Sequence, residues 1–326
     1  MNTQKRSFMQ AVLPMLCLLV LCSGTALAEY PDRPVKIIAP FPPAGGVDSM
    51  ARVIAKALGD ELGQSFVVEN HAGASGRIGT ELAAKAPADG YTLLLGSVGP
   101  NAIVPAAYHD LPYDASSSFA PVSLIGTSAY ALVVPSSLPV KSVSDLIALA
   151  KSQPGKLNFA STGNLGGPHL AGELFKSLAG IDVVHVPFKG GAPQIQALLS
   201  GEVSFAFTSL PTVAPHVKAG NLRVLAVTGD HRAATMPDVP TMAQFLKGYS
   251  VVQWYGVMAP AGTPDAIVRR LNAAIVKAVS VPNVHDSLVR FDAVPTTNTP
   301  EAFASLIRSE VAKYRSVIEK AGIRAE

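Results

Sequence analysis

Three short glycine-rich segments have the composition of loops that hold an anion through backbone N–H groups. They are Ala44-Gly45-Gly46, residues 163–167 and Gly190-Gly191. Each follows an apolar, β-branched run and precedes a stretch of helical periodicity, so each is predicted to open a helix. The first N–H groups of a helix have no intrahelical acceptor, and the helix dipole adds about half a positive charge there. Because glycine lets a ligand approach closely, the loops together predict a carboxylate site.

A turn between a strand and a helix often contains glycine, so any one of these loops is a weak indication by itself. None has the spacing of a phosphate-binding loop, and Gly163, Gly166 and Gly167 do not form a dinucleotide fingerprint. The occurrence of three such loops in one chain is what favours a ligand.

Residues that could support catalysis or bind a metal lack the necessary spacing. Gly73-Ala74-Ser75-Gly76 is not a nucleophile elbow, and the seven histidines do not follow a metal-ligand pattern. His169, near a helix start at a glycine loop, is expected to brace that loop or to touch the ligand. Lys189 either pairs with an anion or is solvated, and Trp254 and Tyr255 are expected to pack in a hinge or core. The sequence therefore predicts a binding protein without metal or cofactor, not an enzyme.

Apolar strands alternate with helical segments along most of the chain, which predicts an α/β fold with parallel sheets covered on both faces. The predicted strands are residues 35–39, 66–69, 91–95, 157–160, 183–188, 203–208 and 222–227. Helical periodicity covers residues 50–58, 78–85, 170–178, 195–199, 265–279 and 301–321, the last two forming two C-terminal helices.

Two long apolar, extended segments interrupt this alternation, at residues 120–135 and 250–258. They are typical of strands that cross between two domains, and a chain of this length exceeds what one core usually covers. We expect domain 1 to comprise residues 29–128 and 249–326, and domain 2 to comprise residues 129–248. A cleft between such domains is a usual site for a small ligand.

The amino terminus has the features of a secretory signal peptide. Lys5 and Arg6 precede an apolar run over residues 8–21, and Ala26-Leu27-Ala28 supplies the small residues of a cleavage site. The apolar run is too short for a good transmembrane span. We expect residues 1–28 to be removed on export to the periplasm, with Glu29 as the first mature residue.

An alternative is a lipoprotein anchored through Cys22, but Leu21 stands where a small residue is expected. Loss of the leader would remove Cys17 and Cys22, the two cysteines of the chain, and with them any disulfide or cysteine metal site. The formal net charge would fall from +3 to +1, since Lys5 and Arg6 leave with it. Without a basic cluster, nucleic-acid binding is not expected.

Several motifs in order resemble the tripartite tricarboxylate transporter receptors, the Bug or TctC-like family of periplasmic solute-binding proteins. The resemblance covers essentially the whole mature chain. It is carried by Tyr30-Pro31-Asp32-Arg33-Pro34-Val35, by residues 40–52, by Val68-Glu69-Asn70 with Gly73-Ala74-x-Gly76, by Asp89-Gly90-Tyr91-Thr92-Leu93, by Gly163-x-x-Gly166-x-x-His169-Leu170 and by Val186-Pro187-Phe188-Lys189-Gly190.

The resemblance implies a two-domain clamshell of the type II periplasmic binding protein class, each domain a mainly parallel sheet flanked by helices. It implies a receptor, expected to be a monomer, that captures a small carboxylate and delivers it to membrane permease subunits. A dicarboxylate, a tricarboxylate, an acidic amino acid and an aromatic acid all remain possible ligands. The ligand-binding residues that it implies are Phe41, Pro43, Ala44, Gly45, Gly46, Asp48, Ser97, Asn101, Ser161, Thr162, Gly163, Gly166, Gly167, His169, Lys189, Gly190, Gly191, Ala192 and Ser209.

Two positions depart from the pattern of the family. Gly167 stands where a serine is common, which removes a hydroxyl donor, and Val104 stands where asparagine is frequent. Both changes favour a solute with an apolar portion.

Two other functions are compatible with an exported α/β protein. A receptor that docks on a membrane histidine kinase would need the same clamshell, so the sequence does not separate sensing from transport. A periplasmic hydrolase would need a nucleophile and a base at the cleft, and no recognisable pair is present in the sequence.

Overall fold

A computed structural model describes residues 30–43, 45–108 and 110–323. Backbone contacts divide the chain into one unit that ends at Arg33 and a second unit that starts at Pro34. The strands and helices belong to the second unit. The predicted signal peptide and Ala44 lie outside the described residues.

The described chain folds into strands that alternate with helices. The strands are β1 (Val35–Ala39), β2 (Phe66–Asn70), β3 (Thr92–Ser97), β4 (Phe119–Pro135), β5 (Asn158–Ser161), β6 (Val184–Pro187), β7 (Phe205–Ser209), β8 (Leu222–Val227), β9 (Val252–Pro260) and β10 (Val294–Pro295). The α-helices are α1 (Gly46–Leu62), α2 (Arg77–Ala84), α3 (Val104–Ala107), α4 (Val143–Ser152), α5 (Gly167–Ala179), α6 (Gly191–Ser200), α7 (Leu210–Lys218), α8 (Asp265–Ser280), α9 (Pro282–Arg290) and α10 (Pro300–Ala321). Short 3-10 or π turns occupy Ala74–Gly76, Gly99–Ile103 and Met242–Gln244.

The strands form one continuous path in the order β2-β1-β3-β9-β4-β7-β5-β6, and β8 and β10 also pair with β4. The outer strands pair in parallel, β1 with β2 and β3, and β5 with β6 and β7. The pairings made by β4 and β9 are antiparallel. The predicted α/β class is therefore confirmed, but the sheet is mixed rather than mainly parallel, because two long strands run against their neighbours through its middle.

Strand β4 belongs to both halves of this path. Its first part, from Phe119 to Ala129, pairs with β9, and its last part, from Tyr130 to Pro135, pairs with β7 and β8. The extended segment predicted at residues 120–135 is thus one strand. The segment predicted at residues 250–258 is also a strand, β9, which starts and ends two residues later than predicted. The boundaries of the two domains remain a prediction.

Apolar residues at helical spacing hold the helices against the sheet, as α1 illustrates. Met50, Ile54 and Leu58 are each no more than 1% exposed, and each contributes about 1.5–3 kcal/mol by its burial. The helix ends where Gly63 takes a left-handed conformation, φ 72°, that favours glycine.

Four helices of the described residues were not predicted from periodicity, the short α3 and the longer α4, α7 and α9. In α7, Pro211 and Pro215 suggest a loop, yet the first falls in the opening turn, where proline is tolerated. Among the described residues, α8, α9 and α10 follow β9, whereas two helices were expected there. The additional helix is α9, which starts at Pro282, two residues after α8 ends.

Candidate functional site

The loop between β1 and α1 is held in place by a part-buried hydrogen-bond cluster. Asn70 Nδ2 donates to the carbonyl oxygen of Phe41 at 3.0 Å and to Asp48 Oδ1 at 2.9 Å. Arg52 Nε donates to Asp48 Oδ2 at 3.0 Å. Asp48 is only 3% exposed, so its carboxylate braces the loop from inside the protein. This geometry does not support the predicted ligand contact of the Asp48 side chain.

The end of this first loop leaves the start of α1 open. Gly45 is the N-cap residue and makes no side-chain cap, and Pro43, Gly45 and Gly46 are exposed. A β-carbon on Gly46 would lie 3.0 Å from the hydroxyl oxygen of Tyr255. The predicted backbone donors of the loop are therefore accessible, and Tyr255 of β9 lies directly beside them.

The loop between β5 and α5 is held by two histidines. Ser161 Oγ lies 2.7 Å from His185 Nε2, and Gly163 N donates to the same Oγ at 3.2 Å. His169 Nδ1 accepts from the backbone N–H of Leu165 at 3.1 Å, which is the bracing role expected for this residue. The two imidazoles stack with their centroids 3.8 Å apart.

Both imidazoles are neutral at ordinary pH. Burial, with smaller effects of the His185 and Lys176 charges, lowers the pKa of His169 to about 3. Burial and Lys176 lower the pKa of His185 to about 4. Positive potential at this loop therefore comes from the backbone N–H groups and the dipole of α5, not from the histidines.

Helix α5 starts at Gly167, after the N-cap Gly166, and makes no side-chain cap. A β-carbon on Gly167 would overlap the hydroxyl of Tyr130 and would lie 2.6 Å from ring carbon Cζ. The serine common in the family would not fit here beside Tyr130. A hydroxyl is nevertheless present, because Tyr130 of β4 supplies one from the opposite side. Thr162, in the same loop, is half-buried.

The start of α6 lies next to the loop between β5 and α5, since Phe188 N donates to the Ser161 carbonyl oxygen at 3.0 Å. Gly190 is its N-cap residue, with φ 102°, and has no side-chain cap. Lys189 and Ala192 are exposed, and Gly191 is half-buried.

Ser209 is the N-cap residue of α7 but does not cap it. Its hydroxyl lies 2.6 Å from Thr212 Oγ1 and remains exposed. Thr212 Cγ2 is also the nearest atom, at 3.5 Å, to a β-carbon placed on Gly191. The starts of α6 and α7 are therefore neighbours.

Ser97 and Asn101 form a buried wall at the end of β3. The backbone N–H of Ser97 donates to Asn101 Oδ1 at 3.1 Å. Asn101 Nδ2 is buried and has no hydrogen-bond partner within the part of the chain that the structure describes. Val104, at the end of the π turn that holds Asn101, is fully buried and places an apolar side chain beside these two polar residues.

A cavity of about 290 Å³ joins this wall to the loop between β5 and α5. It is lined by Ser75, Val104, Tyr108, Asn164, Leu165, His169 and Ile323. His169, a predicted site residue, and Val104, beside the wall, therefore line a shared space.

Sequence reasoning missed three polar residues that connect these loops, Tyr130, His185 and Gln253. Tyr130 Oη donates to Gln253 Oε1 at 2.9 Å, which links β4 to β9. The available signal was a polar residue at every second position of otherwise apolar strands, Ser128 and Tyr130 in β4, and Gln253 and Tyr255 in β9.

Among the described residues, no group of three or more His, Cys, Asp or Glu side chains is arranged to hold a metal ion. No helix among those residues has the length and apolar character needed to cross a membrane.

The sequence profile of the tripartite tricarboxylate transporter family receptors matches residues 50–323. The chain belongs to this family. The resemblance carried by its motifs is thus confirmed.

Solved structures of such receptors share its fold. Rpa4515 from R. palustris, solved with adipate, is 36% identical, with a TM-score of 0.80 over 91% of this chain and 99% of that one. The periplasmic binding protein BugD is 30% identical, with a TM-score of 0.77 over 91% and 100% of the two chains. MatC from Rhodopseudomonas palustris, solved with malate, is 30% identical, with a TM-score of 0.75 over 89% and 100%. This tripartite tricarboxylate receptor is therefore a binding protein of the periplasmic class, not an enzyme.

Proposed function

We propose that this protein is a periplasmic receptor that captures a small carboxylate in the cleft and delivers it to a tripartite tricarboxylate-type permease. The observation that carries the proposal is the clustering of uncapped helix starts at the predicted loops. Similar receptors bind acids of this kind, Rpa4515 with adipate and MatC with malate.

Four helices begin at the predicted site, and their N-cap residues are Gly45, Gly166, Gly190 and Ser209. None of the four makes a side-chain cap. The N–H groups of each first turn therefore have no acceptor within their helix or from the N-cap side chain. A carboxylate, directly or through water, is the natural partner for such groups.

The ligand would act by closing two lobes, which we assign to residues 29–128 with 249–326 and to residues 129–248. Strand β4 and the segment that leads into β9 cross between them and would serve as the hinge. A ligand that contacts loops from both lobes binds the closed form better than the open one, and so shifts the population towards closure.

Export through cleavage of residues 1–28 would place the receptor in the periplasm, where BugD works. The closed, loaded monomer would then dock on the permease. Loss of uptake of the cognate acid in cells that lack this chain, with uptake restored by its return, would support delivery.

The first test is a thermal-shift screen of residues 29–326 against organic acids, after unfolding and refolding to remove any bound ligand. The panel includes four- to six-carbon dicarboxylates, malate, citrate, aspartate, glutamate and aromatic acids. A ligand at a hundred times its Kd stabilises the fold by about 2.7 kcal/mol. Stabilisation by neutral or cationic solutes alone would contradict the proposal.

A matched pair of variants locates the site. A β-carbon at Gly166 meets no atom closer than 3.7 Å, so Gly166→Ala should fold and yet obstruct the backbone donors. Ser152→Ala, at the exposed end of α4 and outside the predicted loops, is the control. We expect the acid-induced shift to disappear in the first variant and to persist in the second.

A further inference from the structure

Polar side chains occupy alternate positions on one face of the two crossing strands. Ser128 and Tyr130 lie two residues apart in β4, and Gln253 and Tyr255 lie two residues apart in β9. Ser128 is directly opposite Gln253 in the antiparallel ladder. Side chains at i and i+2 of a strand share a face, as do directly opposed residues, so all four project to the same side.

The same face continues onto the flanking strands. Ser97 of β3 is opposite Tyr255, and Ser209 of β7 is opposite Tyr130. A polar stripe therefore crosses four strands, and it consists of Ser97, Tyr255, Gln253, Ser128, Tyr130 and Ser209. Its two ends are serines already predicted to contact the ligand, and its centre contains residues that no motif had indicated.

The stripe faces the helix starts of the site. The hydroxyl of Tyr255 lies against Gly46 at the start of α1, and that of Tyr130 lies against Gly167 at the start of α5. Trp254, between Gln253 and Tyr255, projects to the other face and packs edge-on against Phe303, with the ring centroids 5.4 Å apart. A ligand held by both helix starts would therefore rest on the stripe.

The stripe carries hydroxyl and amide groups and no ionised side chain. Burial raises the pKa of both Tyr130 and Tyr255, so each hydroxyl keeps its proton and remains a donor. Tyr130 donates to Gln253 Oε1, and the Tyr255 hydroxyl is hydrogen-bonded to Ser128 and Gln253, so the centre of the stripe is one connected network that keeps some donor and acceptor positions on its hydroxyl and amide groups. A ligand oxygen can join this network at the remaining donor and acceptor positions, whereas an alkyl group placed there would only remove water from them.

We propose that Tyr130, Gln253 and Tyr255 form the selectivity floor of the cleft, which prefers carboxylates that carry a second oxygen-bearing polar group. This inference rests on the proposed function. The helix starts hold one carboxylate through backbone N–H groups, and the floor contacts the second carboxylate, hydroxyl or carbonyl. The inference assigns specificity to residues of β4 and β9. It disagrees with the expectation, based on Gly167 and Val104, that the ligand has an apolar portion.

The test compares acids of equal chain length by titration calorimetry, namely succinate and malate with butyrate, glutarate with valerate, and adipate with hexanoate. We expect the wild type to bind at least one two-function acid about tenfold or more tightly than its monocarboxylate partner. Tyr130→Phe, which removes one oxygen and keeps the ring, should reduce that ratio about tenfold, mostly by weakening the two-function acid. A merely structural loss would weaken both acids together.

Tyr249→Phe is the matched control, because the Tyr249 hydroxyl is also buried but donates to the Ala171 carbonyl oxygen at 2.8 Å, outside the stripe. It should keep the wild-type ratio. An unchanged ratio in Tyr130→Phe would overturn the role of the floor, as would monocarboxylates that bind as tightly as their partners. Binding confined to acids without a second oxygen group would overturn the inference and leave the carboxylate receptor intact. If no acid binds, the proposed function itself fails.

Discussion

The hydroxyl of Tyr130 occupies the space that a side chain on Gly167 would need. A β-carbon there would overlap the hydroxyl and come within 2.6 Å of ring carbon Cζ. The glycine at the start of α5 and the tyrosine in β4 are therefore a complementary pair, and Gly167 cannot take a side chain unless Tyr130 moves.

Gly167→Ala should destabilise the fold, because the tyrosine ring must shift to admit the methyl group. Overpacking of this kind costs about 1–3 kcal/mol. Urea denaturation measures the change, with Gly99→Ala as the control in open space. Equal stability of the two variants would contradict the prediction, because it would mean that Tyr130 can shift without an energetic cost.

Asp48→Asn should lower the free energy of unfolding by about 1–2 kcal/mol, since it weakens the part-buried cluster that holds the first loop. The matched control is Asp60→Asn in the same helix. Asp60 also pairs with a cation four residues away, Lys56, but both side chains are more than 65% exposed. That change should stay within about 0.5 kcal/mol. Similar losses in both variants would argue against the bracing role of Asp48.

Gln194→Leu should loosen the strand ends that carry Ser161 and Ser209. The fully buried Gln194 donates from Nε2 to the carbonyl oxygens of Ala160 and Phe207, at 3.0 and 2.8 Å. Loss of both bonds should cost about 2–3 kcal/mol. The exposed Gln196, two residues away in α6, provides the control, and Gln196→Leu should leave the denaturation midpoint nearly unchanged.

Stability should fall between pH 6.5 and 4 because of the stacked histidines. Their pKa values in the folded protein are depressed to about 3 for His169 and about 4 for His185. The unfolded chain takes up protons near pH 6.5, before the folded protein does, so acid favours unfolding by up to about 1.4 kcal/mol per pH unit for each histidine. Denaturant titrations at pH 7, 6 and 5 measure the slope.

Charged groups near His169 and His185 also affect how stability depends on pH. Burial raises the pKa of Glu173, so this carboxyl gains stability as the pH falls and partly offsets the histidines. Lys176 disfavours a charge on either imidazole. His169→Gln with His185→Gln should flatten the pH profile, whereas the exposed His231→Gln should leave it unchanged. A wild-type slope in the double variant would contradict the assignment.

Features that depend on residues adjacent in the sequence were predictable. The strand, glycine loop and helix around Gly45 or Gly190 follow local composition, and the apolar run that became β4 is visible without a structure. Features that depend on tertiary contacts were not predictable. His185 reaches Ser161 across parallel strands, Tyr130 reaches Gly167 from a different strand, and the carboxylate of Asp48 turns inward only because Asn70 meets it there. Sequence patterns indicate where a loop lies, but not which distant side chain fills the space beside it.

The position of Trp254 in β9 makes the fluorescence of this protein informative. It is the single tryptophan of the sequence, is 1% exposed and lies between Gln253 and Tyr255 with its ring edge-on to Phe303 of α10. Indole emission responds to the polarity and contacts around the ring. Because every photon of tryptophan fluorescence originates at this one place, the unlabelled receptor carries its own spectroscopic reporter, directly behind the floor on which its ligand would rest.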